Sequence, residues 1–229
     1  MKTRIFSLLM ILILSGSMAF AQSTDKSKMS FGIIGGVNLQ NLNGKDASGD
    51  KLTNSMIVGY HVGVNVQIPI APAFYFQPGL MFATKGAKDT YSLLGTSYTS
   101  TTKLSYLEMP LNLVYKGALG NGYFMLGFGP YIGYAIGGKV LTEGGSVSSD
   151  EKIKFQSVVE TGDDLTVPYY KAFDFGGNIF AGYEMAGGLF VQLDTQLGMV
   201  KINPEYKIFP DDKSVVKNTG FGLSLGYRF

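Results

Sequence analysis

The stretch Gly220-Phe221-Gly222-Leu223-Ser224-Leu225-Gly226-Tyr227-Arg228-Phe229 decides how the rest of the chain is read. Phe221, Leu223, Leu225, Tyr227 and Phe229 alternate with Gly222, Ser224, Gly226 and Arg228. In a β-strand successive side chains point to opposite faces, so one face here is wholly apolar and the other small or polar. A helix of these residues would mix the two sets on every side.

The same period of two recurs towards the N-terminus. Leu189, Val191, Leu193, Leu197 and Met199 oppose Gln192, Asp194, Gln196 and Gly198. Phe173, Phe175, Ile179 and Tyr183 oppose Asp174, Gly176, Asn178 and Glu184. Phe124, Leu126, Phe128 and Ile132 oppose Gly127, Gly129, Tyr131 and Gly133, and Leu107, Met109, Leu111 and Leu113 oppose Tyr106, Glu108 and Asn112. Phe74, Phe76, Leu80 and Phe82 oppose Tyr75, Gln77, Gly79 and Lys85. Val58, Tyr60, Val62, Val64 and Val66 oppose His61, Gly63, Asn65 and Gln67, and Phe31, Ile33, Val37 and Leu39 oppose Gly32, Gly36, Asn38 and Gln40. That makes about eight strands of roughly 9–14 residues, long enough to cross a bilayer when tilted.

The connections alternate in kind. Tight turns fall at Ala71-Pro72-Ala73, around 117–122 and at Ala186-Gly187-Gly188, whereas 41–55, 86–102, 139–169 and 203–216 read as long polar loops. Short turns on one side and long loops on the other are the layout of outer-membrane barrels. A continuous apolar face cannot be left in water, so it meets lipid and the polar face lines the lumen. The fold class is therefore all-β: an eight-stranded antiparallel up-and-down transmembrane β-barrel with short periplasmic turns and long extracellular loops. Phe74, Phe76, Tyr115, Phe124, Tyr183, Tyr227 and Phe229 form one aromatic girdle, and Tyr60, Phe82, Phe173 and Phe175 the other. The competing architecture is a soluble lipocalin-type barrel with the apolar face inward. Its surface would then be Gly, Asn and Gln, poorer in charge than soluble surfaces are.

Composition agrees. The chain carries 31 Gly, 14 Tyr, 16 Phe and no Trp, with only 16% charged residues, against about 25% in ordinary soluble domains. Lys2 and Arg4 precede an apolar run and Ala19-Phe20-Ala21, the order of a signal peptide cleaved after Ala21. The expected organisation is a signal peptide over 1–21, a short periplasmic segment over 22–29 and the barrel over 30–229, located in the outer membrane of a Gram-negative cell. Removing the leader takes two of the 19 basic residues and leaves 17 against 17 acidic ones, so nothing favours nucleic acid as a partner. The absence of cysteine excludes a lipid-anchored lipoprotein and disulfides.

At Tyr106-Leu107-Glu108-Met109-Pro110-Leu111-Asn112-Leu113 the chain resembles the PorT-like family of outer-membrane β-barrel proteins, in which such a strand lies near the middle of the barrel. The glycine-paired opening strand over 32–38 and the closing strand over 220–229 resemble that family too. The resemblance spans the mature chain and implies a porin-like small barrel with no assigned chemistry. The family's founding member is linked to a protein-secretion system. It also implies that Leu225, Tyr227 and Phe229 form a C-terminal signal read by the barrel-assembly machinery.

The search for chemistry yields little. His61 is the one histidine, on an inward face, with Asp174 or Asp194 as conceivable acid partners; a structural hydrogen-bond network is the commoner fate of such a residue. The glycines over 127–133 lack the spacing of a phosphate loop, and Asp163-Asp164 and Asp211-Asp212 lack the spaced ligands of a calcium site. No catalytic residue, metal ligand or cofactor is expected. His61, Lys85, Glu108, Asp174, Glu184, Asp194 and Arg228 are instead expected to form a polar network inside the barrel, since buried charges must be paired. The expected function is a non-enzymatic structural or accessory role in an envelope or secretion assembly, with outer-membrane lipid around the barrel and a protein partner on the 139–169 loop. Within that loop, residues 152–159 are expected to offer a strand edge. The alternative is a small channel or solute-binding barrel, with cation preference from the excess of acids.

Overall fold

The computed structural model describes residues 28–229; the leader over 1–21 and most of the 22–29 segment lie outside the described residues. Eight strands close a ring: β1 (Ser30–Lys45), β2 (Ile57–Ala71), β3 (Phe74–Leu93), β4 (Thr96–Leu119), β5 (Gly122–Gly144), β10 (Phe173–Met185), β11 (Leu189–Gly198) and β13 (Val215–Arg228). Each pairs antiparallel with the next in sequence, β5 pairs β10, and β13 returns to β1. Full closure leaves no open edge within the membrane, the condition for a sheet to span lipid. Outside the ring lie β6 (Val147–Lys152), β7 (Lys154–Phe155), β8 (Val158–Val159), β9 (Tyr169–Tyr170) and β12 (Glu205–Tyr206).

The alternation holds where it was clearest. Along β13, Phe221, Leu223, Leu225 and Tyr227 are exposed, while Gly222, Ser224, Gly226 and Arg228 are buried inside. Tyr60 packs at a tilt against Phe82 in the girdle by the long loops, and Phe74 against Tyr115 by the short turns, with centroids 5.8 and 5.2 Å apart.

Three expectations need correction. The strands run longer than roughly 9–14 residues: β3, β4 and β5 reach 20, 24 and 23. The stretch 86–102 is consequently no loop; it continues β3 and β4 as a hairpin that turns at Leu94-Gly95. Its Thr, Ser and Tyr residues have strand propensity, but both faces meet water there, so no apolar alternation marks it. Finally, 152–159 does not extend as a hairpin. Ile153 turns inward, Lys154–Phe155 pairs with Tyr169–Tyr170, and Val158–Val159 pairs with Glu205–Tyr206. The hairpin lies earlier, where β5 pairs β6 over 139–152. Burying Ile153 and Val159 explains the difference: apolar residues in a polar loop fold back onto the barrel mouth rather than stand in solvent.

Candidate functional site: the barrel lumen

The lumen is filled in successive levels. Next to the short turns, Glu184 takes Lys116 Nζ at 2.6 Å on one carboxylate oxygen and Arg228 Nε at 2.9 Å on the other. Arg228 also donates to Asn65 Oδ1 (3.0 Å) and lies over the Phe190 ring. Gln67 donates to Gln77 at 2.7 Å and accepts from Lys116 at 3.3 Å.

An apolar layer adjoins this cluster: Ile34, Val114, Met125, Phe180 and Phe190, all buried. Two of its aromatics face glycines directly across the ladder, Phe180 opposite Gly127 and Phe190 opposite Gly226. A Cβ on either glycine would lie 2.2 Å from the ring. The inner width of an eight-stranded barrel suits one large side chain at a level only where its neighbour is small.

At mid-height His61 Nδ1 donates to Asn38 Oδ1, and Nε2 lies 2.7 Å from Ser224 Oγ. Ser224 Oγ in turn donates to Asp194 Oδ1 at 3.3 Å. An acyl-transfer triad needs its carboxylate behind the histidine to orient it and its serine facing substrate. Here the carboxylate sits on the serine, and the adjoining cavity of about 60 Å³ has room for a few waters only.

Nearer the long loops, Lys85 Nζ reaches Glu108 at 2.5 Å and Asp174 at 3.1 Å. Tyr131 (3.0 Å) and Asn218 (2.8 Å) both donate to Asp174, and Gln196 donates to Glu108 (3.1 Å). The ammonium also sits 4.4 Å from the Tyr131 ring centroid. All three charged groups are buried; one ammonium serves both carboxylates, and the neutral donors Tyr131, Asn218 and Gln196 support the remaining negative charge. Above them Leu42, Leu104, Ile153 and Ile202 pack into an apolar cap, joined by Phe155 and Tyr170 from the folded-back loops.

The seven lumenal residues singled out by alternation thus divide among three levels. Lys85, Glu108 and Asp174 come together, Glu184 meets Arg228, and His61 reaches Asp194 through Ser224. Lys116 was missed, although it continues the inward series Asn112, Val114; the turn glycine beside it hid the strand end. Phe180 and Phe190 were missed because inward positions were read as polar. The signal that finds them is the glycine opposite each. Leu225, Tyr227 and Phe229 lie on the lipid side, with Phe229 edge-on to Tyr227 and its backbone N–H donating to Phe31 O at 2.8 Å.

A closed antiparallel ring, apolar outside and packed with paired charges inside, defines a transmembrane β-barrel. The chain belongs to the outer membrane protein beta-barrel domain family, whose model matches residues 20–203, and its place is the outer membrane with lipid around the ring. No curated protein matches the sequence. Among solved structures, it is similar to Ail, the attachment invasion locus protein of Yersinia pestis, determined alone and with the heparin analogue sucrose octasulfate. In the latter the identity is 11% over 88% of this chain and 99% of that one, with a TM-score of 0.39; the structure of Ail alone gives 10% identity at the same coverage and TM-score. It is also similar to Neisserial surface protein A, at 8% identity over 90% of this chain and all 100% of that one, with a TM-score of 0.42.

Proposed function

We propose that this barrel is a non-enzymatic envelope protein, structural or accessory to an outer-membrane or protein-secretion assembly. The observation that carries the reading is the filled lumen. Paired charges, an apolar layer and an apolar cap occupy it from end to end, which argues against a solute path and leaves the outer surface to act. That surface includes the β5–β6 hairpin, where β6 pairs only with β5 and keeps its other edge unpaired. An unpaired edge is a template for a partner's strand. Export by a signal peptide cleaved after Ala21, and recognition of Leu225, Tyr227 and Phe229 by the assembly machinery, belong to the same proposal.

The test is the native size of the tagged protein after gentle extraction from outer membranes. A particle much larger than one barrel is expected, with its members named by mass spectrometry. Replacing 143–148 with a two-residue Asn-Gly turn should release the partner, because Thr142 and Ser149 are register neighbours that such a turn can join. A lone wild-type barrel would sink the reading. Step conductance in planar bilayers would favour the channel instead.

A further inference from the structure

Just above the apolar band, three lysines stand side by side across neighbouring strands. Lys103 is the register partner of Lys139, and Lys139 of Lys152. Their sequence neighbours Leu104 and Ile153 point inward, so the row faces outward. Like charges directly opposite one another in a sheet are destabilising. A single carboxylate answers them: Asp150 lies 2.7 Å from Lys139, and among the described residues Lys103 and Lys152 meet no acid within salt-bridge distance. The row carries a net two positive charges.

Its position gives that charge a use. Leu107 and Ile136 are exposed and apolar on the same outer face of β4 and β5, one to two outward positions nearer the membrane centre. A groove of about 1200 Å³ is lined by Lys103, Lys139 and Lys152 together with Val58, Tyr60 and Ile136. Cations over an apolar wall, at the end of the barrel that faces outward, complement a lipid whose phosphate lies above its acyl chains.

We infer that the Lys103–Lys139–Lys152 row binds the phosphate groups of a phosphorylated outer-leaflet glycolipid, with Val58, Tyr60 and Ile136 against its chains. The inference rests on outer-membrane placement and not on the partner proposed above; a lone barrel in the native-size experiment would leave it standing. The test measures binding of bis-phosphorylated lipid A to the full-length mature protein in detergent by native mass spectrometry. The variant K103Q/K139Q/K152Q, which takes three positive charges from the row, should bind roughly 150-fold more weakly, at about 1 kcal/mol per lysine near a membrane surface. D150N, which removes the row's one acid, should bind several-fold more tightly. Heat-modifiable mobility checks that each variant is folded, and D150N keeps the test decisive should the triple variant misfold. Unchanged affinity in D150N and the triple variant would overturn the inference. So would equal binding of dephosphorylated lipid A, or full competition by millimolar inorganic phosphate, which would mark a free-anion site.

Discussion

Removing Lys85 is the sharpest test of how the lumen is held. Its ammonium is the one cation within 4 Å of Glu108 and Asp174 among the described residues, at 2.5 and 3.1 Å. Lys85→Met keeps the length and apolar stem but strands two buried carboxylates. Taking one partner from a buried ion pair costs about 3–5 kcal/mol, because the remaining charge is left uncompensated in a medium that cannot solvate it. Tyr131 and Asn218 still donate to Asp174, and Gln196 to Glu108, which keeps the expected loss near ~4 kcal/mol rather than above it. That is roughly a thousandfold in the unfolding constant. The chain has no tryptophan, so the folded fraction is best read from mobility on unheated SDS gels after equilibration in urea and detergent. The decisive comparison is Lys85→Met with Glu108→Gln and Asp174→Asn added. If stranded charge is the cause, this triple variant regains at least half of the loss. A loss below ~1 kcal/mol for Lys85→Met, or a triple variant no more stable than Lys85→Met, would refute the reasoning.

Two further outcomes follow from the packing. Gly127→Ala and Gly226→Ala should each destabilise by about 1–3 kcal/mol, since the added methyl overlaps the Phe180 or Phe190 ring. Gly137→Ala, where a Cβ meets nothing within 4 Å, should change urea stability by at most ~0.5 kcal/mol. Phe229 is 72% exposed, on the lipid side and edge-on to Tyr227, so Phe229→Ala should cost the refolded, purified barrel only about 1–2 kcal/mol and leave it folded. In cells the amount of heat-modifiable barrel should nevertheless fall several-fold; equal amounts of variant and wild type would remove the assembly-signal role.

The alternation of 220–229 and its counterparts determined, without any coordinates, that the chain forms eight lipid-facing strands and which residues face inward. That much is local. A strand's two faces are set by its own period of two, and a bilayer demands that one face be apolar throughout. For the same reason His61, Lys85, Glu108, Asp174, Glu184, Asp194 and Arg228 were legible as lumenal. Which of them meet was not. Pairing across a barrel depends on register and on the stagger between strands, and residues as distant in sequence as Lys85 and Asp174 touch only after closure. The inward direction of Phe180 and Phe190 follows from the same period, but tertiary structure alone decided that they fit there, since their space comes from glycines on other strands. It also decided the fate of 152–159, whose apolar residues are drawn to an apolar mouth that exists only once the ring has closed. The lysine row has the same origin: 103, 139 and 152 are far apart along the chain and become neighbours only when β4, β5 and β6 fall into register.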